Sequence, residues 1–403
     1  MQKIKNLISR ARISTNRVLG KRSLMNLNSN LVKSFYSVSK AGKHIFFGYH
    51  DVTPFNQDDS LILFSEISTK LKKEELTVGY FELKEKAFHK IGTTSSWCWQ
   101  QGARLQWYDP SKNYIIYNTK IAGRHISTVR SLNGEEIEQF PIPTYSLSRE
   151  GGNIASLHFP RLQRLRPGYG YSDIPDNTIN ELAPDHTGIE IFNVKSRTSK
   201  CIVTIKDLTE LNDIKAPTKS SHYVNHLLWN PTGTKLMFFH LWATPLGARH
   251  STCFIWDMPT NKFVAIEARG AASHYTWISS YELIIYLLGD DAGFYLFDTI
   301  TLKKTKIPTL GNEDLHPMSG ETNLSNLVLD SYPCKKFKER RLFTSDINKD
   351  STLLEIASFY SPPSFQKGEY RCDLHSRWSH SKKNICVDSA HNGKREMTIL
   401  SLN

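Results

Sequence analysis

The chain has 403 residues, 39% hydrophobic and 11% aromatic, with a formal net charge of +12. That is enough apolar material for a substantial core, and no run is long enough to cross a bilayer: the longest, Leu283 to Leu288, has the length of a strand. The six cysteines are scattered without close pairs, which reads as reduced core thiols, argues against a zinc site and favours the cytoplasm.

Residues 1–40 carry nine lysines and arginines and no acid, leaving +3 for the rest of the chain. The segment lacks the apolar centre of a secretory signal. Ile4, Leu7, Ile8, Ala11 and Ile13 share one helical face with basic residues opposite, the pattern of a helix lying on an anionic membrane surface; a solvated basic tail fits equally. The expected division is a basic extension over 1–40 and one folded domain over 41–403. The balanced charge of that domain and the absence of a nucleic-acid motif exclude nucleic acid as the expected partner. The expected location is the cytoplasm, peripheral to the inner membrane.

From residue 41 a unit recurs: a short first strand, often with an aromatic residue, then a polar turn, then an apolar strand. The clearest copy is SHYVNHLLWNPTGTKLMFFH (221–240), with Asn230-Pro231-Thr232-Gly233 as its turn. Six others begin near residues 46, 103, 144, 274, 316 and 374, and third strands such as GIEIFNV, TCFIWDM and GFYLFDT follow most of them. Repeats that cannot bury their own faces, spaced by about forty to fifty residues, indicate an all-β, seven-bladed propeller.

Blade one opens with Gly48-Tyr49-His50-Asp51. Blade two opens with SSWCWQQGARLQW, where Trp99, Gln101 and Arg104 combine an aromatic face with polar groups suited to a sugar; packing between blades accounts for the tryptophans as well. Blade three carries a long insertion, 158–188, read as a mobile loop. Its Arg164 and Arg166, with Tyr169 and Tyr171, suit an anionic ligand, or are simply solvated. In blade four, His222, Asn225 and His226 precede one strand and His240 ends the next, so they gather at one end of the hairpin, followed by Arg249; the turn end reads as structural. His226, His274, His316 and His375 occupy comparable places in four consecutive blades, where first strands line the central channel. With Asp373 they form a candidate divalent-metal site, or else a structural residue copied by the repeat. Arg371 and Arg377 flank that last cluster.

The motifs FFGYHDVTPFN, WCWQQGARLQW, RLRPGYGY, HYVNHLLWNP, SHYTW, SFYSPP and EYRCDLHSRWS resemble a propeller family of bacterial surface-polysaccharide gene clusters, over nearly the whole chain after residue 40. Residues 222–403 more weakly resemble the related oligogalacturonate lyases. That resemblance implies a catalytic histidine at His240, a catalytic arginine, and manganese held by His274 and His375, with Asp373 in place of a further metal histidine. Arg371 lies near the place of a metal-binding glutamine, where a cation repels a metal.

β-Elimination at a uronic acid requires charge stabilisation for an enolate, a base beside the carboxylate, and a donor for the leaving oxygen. A mouth with His240, Arg166 and Arg371 as catalytic residues offers all three. Asp373 is the one acid placed at the mouth, which disfavours a glycosidase, and no glycine-rich nucleotide motif indicates a glycosyltransferase. The expected function is lyase-like action on an acidic oligo- or polysaccharide in surface-polysaccharide biosynthesis. The alternative is a non-catalytic glycan-binding or scaffold protein of the assembly machinery.

Overall fold

In the computed structural model, the residues described are 23–70, 75–149, 151–211, 216–267, 272–320, 324–349 and 352–403. They form seven antiparallel sheets, one per repeat. The chain is a seven-bladed β-propeller. Blade four shows the plan. Its strands Ser221–Trp229, Lys235–Ala243, Arg249–Asp257 and Lys262–Glu267 follow one another across a single sheet. The Asn230 side chain builds the turn between the first two, its oxygen accepting from the N–H groups of Thr234 and Lys235, both at 2.9 Å.

The N-terminal segment changes the expected domain boundary. Val32–Val38 pairs with Glu396–Leu402 and is the outermost strand of blade seven, while Met25–Leu27 adds a fifth strand to blade six. The two ends of the chain thus meet in one sheet, and closing the ring pairs backbone groups that an open end would expose. Residues 25–38 belong to the propeller: Val32 and Val38, at the two ends of the outer strand, are both buried on its core, although the bulge between Val32 and Ser34 interrupts a regular alternation. The amphipathic helix expected around Ile4 to Ile13 lies outside the described residues.

The blades pack through large apolar clusters and through polar clasps. Near the end of several second strands, a polar side chain reaches into the first-strand region of the next blade. Asn118 exchanges two 2.7 Å hydrogen bonds with the backbone of Thr144. Asp330 accepts from the Ser376 N–H at 3.0 Å. Asp388 accepts from the N–H groups of Phe47 and Gly48 at 3.1 and 3.2 Å. First-strand tryptophans work the same way: the indole N–H of Trp107 donates to the Pro54 carbonyl, and that of Trp277 to the Leu228 carbonyl.

The inner strands are not regular. Pairing slips between Asn225 and Leu228 in blade four and between Ala272 and Tyr275 in blade five. Arg104, His226 and His375 have φ of +53°, +58° and +44°. Left-handed backbone at a side chain with a Cβ is uncommon and re-aims it, which is how bulges work beside functional sites.

The insertion of blade three is an anchored structure rather than a mobile loop. It begins with a helix, Phe159–Leu165, capped by His158, whose Nδ1 accepts from the Arg161 N–H. The buried Arg161 guanidinium then donates to the carbonyls of His222, Thr178, Glu181 and Leu182 at 2.7 to 3.1 Å.

Removing residues 1–22 should leave the thermal transition essentially in place, whereas removing 1–40 should lower it. Burial of Val32 and Val38 alone contributes roughly 3 kcal/mol or more, and the outer strand of blade seven is lost with them. Thermal melts of the two truncations check this; equal transitions would show that the clasp strand contributes nothing.

Candidate functional site

Five imidazoles surround one point on the axis. His50 and Tyr49 come from the segment that follows the first strand of blade one. The Tyr49 ring lies 5.1 Å from His226 and 4.7 Å from His375, and the His50 ring lies 6.0 to 6.2 Å from His274, His316 and His375. His274 and His316 approach to 3.9 Å. The four histidines singled out by repeat phase therefore do converge. His50 and Tyr49 were not among the predicted site residues. The available signal was positional, since GYHD fills the same slot in blade one that HYVNH fills in blade four.

Three of the rings are held from behind through Nδ1. His274 Nδ1 lies 2.8 Å from an Asp314 carboxylate oxygen, His316 Nδ1 lies 2.9 Å from Asp330, and His375 Nδ1 donates to the Gly48 carbonyl at 2.8 Å. His226 is seated by a relay: Gln101 donates to the Tyr145 hydroxyl, that hydroxyl donates to Asn225, and the His226 N–H donates back to Tyr145. In His274, His316 and His375, Nδ1 anchoring fixes ring orientation and leaves Nε2 available, whereas His226 meets Asn225 through Nε2 at 3.1 Å.

The environments drive the imidazoles apart. Burial pushes His375 down to about 3, and burial with the neighbouring rings holds His50 well below the ordinary histidine value. Burial and then Arg166 do the same to His226. His316 goes the other way: burial opposes its charge, but Asp330, with Asp373 and Asp314, raises it above the ordinary value. A ring whose surroundings favour its proton beside rings whose surroundings disfavour theirs offers an acid and a set of bases within one cluster.

Above the rings lies a cationic rim. Arg371 Nε contacts one oxygen of Asp373 at 2.6 Å, and its Nη2 donates to the Tyr169 hydroxyl at 2.9 Å. Arg340 takes the other oxygen of Asp373 at 2.6 Å. The half-buried Arg166 guanidinium stacks 4.5 Å over the Tyr169 ring, and its Nε is buried without a partner. Burial works against the charge of Arg371, and Asp373 more than restores it. The arrangement can receive an anion while keeping neutral imidazoles beneath it.

These residues do not fit the expected metal ion. Both oxygens of Asp373 are engaged by guanidinium groups, so it is not a free ligand, and two arginines beside it repel a cation. Among the described residues, the group of three donors lying within 4.8 Å of one another is Glu181, Asp185 and His186, on the surface of the insertion, and not the set His274, His316, Asp373 and His375.

The remaining sequence candidates fall into separate places. His240 lies within a strand, fully buried. Its Nε2 is 3.0 Å from His222 Nδ1, and its ring is stacked on His222 and beside Trp242, apart from the axial rings. Arg104 is tied to both oxygens of Asp51 at 3.1 and 3.0 Å. Arg377 is buried against Asp388 and the Phe47 ring. Trp99 packs between Phe46 and Arg395. Tyr171 stacks on Phe159 and accepts from Asn118. Arg164 pairs with Asp176 at 2.5 Å. Arg249 is exposed, 3.4 Å from the Leu165 carbonyl. The mouth thus gathers His226, His274, His316, His375, Asp373, Arg371, Arg166 and Tyr169, with Gln101 and Asn225 behind them.

The fold is similar to that of an oligogalacturonate lyase in complex with manganese, with a TM-score of 0.66 at 13% identity over 94% of this chain and 97% of that one. It is similar to the oligogalacturonate lyase of Vibrio parahaemolyticus, with a TM-score of 0.63 at 12% identity over 94% and 96%. The Cps50 (Swd1) propeller domain of Myceliophteria thermophila gives 0.52 at 10% identity over 92% and 100%. At these identities the likeness is one of fold. No family model matches the chain, and neither does any curated protein.

Stability should fall on acidification. Below about 6.5 the unfolded chain's imidazoles take up protons, while folded His240 and His375 resist until about 3. Each such group removes up to about 1.4 kcal/mol per pH unit across that window. His316 opposes this: its contribution is complete below the unfolded value and is lost as pH rises through its raised one. Thermal melts between neutral pH and pH of about 5 should show a falling midpoint, and His240→Gln should reduce the fall. A midpoint independent of pH would contradict the neutral, buried imidazoles.

Proposed function

We propose that this propeller acts on an acidic oligo- or polysaccharide by β-elimination at a uronic acid. The observation that carries this reading is the meeting, at one mouth, of Arg371 and Arg166 with one imidazole backed by a carboxylate, His316, and another backed by a carbonyl, His375. The two guanidinium groups bind the carboxylate and, as a proton leaves the adjacent carbon, hold the charge that spreads onto it. A neutral ring, His375, receives that proton. His316, kept charged by Asp330, gives a proton to the departing glycosidic oxygen. Two guanidinium groups fulfil the role of charge stabiliser without a metal in any step. The fold shared with the oligogalacturonate lyases supports this reading.

A second reading, glycan binding without turnover, is favoured by one observation: His240, the histidine that the family resemblance makes catalytic, is buried against His222 and away from the mouth. In either reading the protein serves surface-polysaccharide assembly from the cytoplasmic side, at the membrane surface. Among the described residues no helix is long and apolar enough to cross a membrane.

Incubation with uronic-acid oligosaccharides, followed by absorbance of the unsaturated product, tests the lyase reading. Arg371→Ala and Arg166→Ala should each weaken binding of the acidic glycan by about 1.5–3 kcal/mol, the range for a hydrogen bond to a charged group. His316→Gln should abolish elimination while binding survives. Binding without elimination across a panel of acidic glycans, with or without manganese, leaves the binder; no binding at all rejects both.

The basic N-terminal segment should carry the protein to anionic vesicles in a salt-sensitive manner. Equal partitioning of the full chain and the 1–22 deletion would rule that out.

A further inference from the structure

The axial channel continues past the histidines, and its far end is a built cavity. This cavity, of about 230 Å³, opens at the face formed by the hairpin turns, the end that reads as structural in the sequence. It runs inward to His50 and Tyr275, each about 1% exposed. His50 Nε2 and the Tyr275 hydroxyl both lie buried without a hydrogen-bond partner. Both residues line the inner end of the cavity, and a buried polar group left without a partner is costly to the fold.

We infer that this channel is a second ligand site, which takes the ring of a neutral sugar or similar polyol. Arg149 and His380 line the outer opening, while charge at the inner end is balanced. The acid at the floor, Asp51, is already neutralised by the two-point ion pair with Arg104, and both side chains are shielded from solvent. The walls mix the apolar faces of Trp107, Trp229 and Trp277 with the hydroxyl and amide groups of Ser146, Ser319 and Gln106. That combination suits a pyranose, with apolar C–H faces and hydroxyl edges, better than it suits an ion or a purely apolar ligand. The volume is many times the space of one water and admits a sugar ring. The site is separated from the arginine rim by the His50 and Tyr49 segment, and it does not depend on the acidic-glycan reading.

Titration with the methyl glycosides of glucose, galactose and mannose, followed by tryptophan fluorescence and thermal shift, tests the inference. At least one should bind saturably, about fivefold more weakly to Tyr275→Phe, as expected for one neutral hydrogen bond of about 1 kcal/mol. Arg371→Ala should leave that binding unchanged. Ser146→Phe, which obstructs the channel wall, should abolish it and serves in place of Tyr275→Phe if that variant does not fold. The inference is overturned if none of the three sugars binds at tens of millimolar, which would leave the cavity to water. It is also overturned if binding is lost in Arg371→Ala but retained in both channel variants.

Discussion

The structure depends on satisfying a crowded polar axis away from water. Seven inner strands bring their side chains to one line, and in this chain many of those side chains are ionisable. Asp330 and Asp388 show how the difficulty is met. Each sits near the end of a second strand and accepts backbone N–H from the next blade, Asp330 while pairing with His316 of the axis and Asp388 while pairing with Arg377 of the blade interior. Asp330 therefore joins two blades and biases the charge of a site residue. Asn118 makes the joint between blades two and three without the charge. An uncompensated carboxylate in these places would cost several kcal/mol, so the clasp and the electrostatics of the mouth cannot be varied independently.

Asp373 carries the same logic to the rim. It lies between Arg340 and Arg371 and holds the second guanidinium against Tyr169, where the insertion of blade three meets the axis. Anchoring of the insertion by Arg161 matters here. A helix end tied to four carbonyls can present Arg166 and Tyr169 at a fixed place, which a mobile loop cannot do. Charge on the rim and neutrality beneath it follow from one gradient. Burial opposes both arginine charges, but Asp373 more than offsets it for Arg371, and Tyr169 and Tyr223 do so for Arg166. His50, His226 and His375 lose theirs because burial outweighs every favourable neighbour.

The repeat was legible in the sequence because each hairpin states its own plan locally: an apolar first strand, a turn built on residues such as Asn230, and an apolar second strand. The convergence of His226, His274, His316 and His375 was legible for the same reason, since equal phase in a closed ring means equal place around the axis. What distinguishes Arg166 from Arg164, or Arg371 from Arg377, is a partner distant in sequence or on another strand. Arg377 finds Asp388 in the blade interior, and Arg164 finds Asp176. Spacing along the chain does not encode which arginine is spent on packing and which faces the mouth.

His240 illustrates the limit most clearly. Its position at the end of an apolar run is visible in the sequence, but its stacking on His222 follows from the strand register that brings the two rings to one face of blade four. Val32–Val38 likewise becomes a strand only because Glu396–Leu402, at the other end of the chain, offers it an edge. By itself the sequence determined the number of blades, the turns between strands and the ring of histidines, all properties of local pattern and repeat. Only the tertiary structure decided the closure of the ring, the protonation of each imidazole and the engagement of Asp373, because these rest on contacts between residues remote along the chain and on burial that no single repeat possesses.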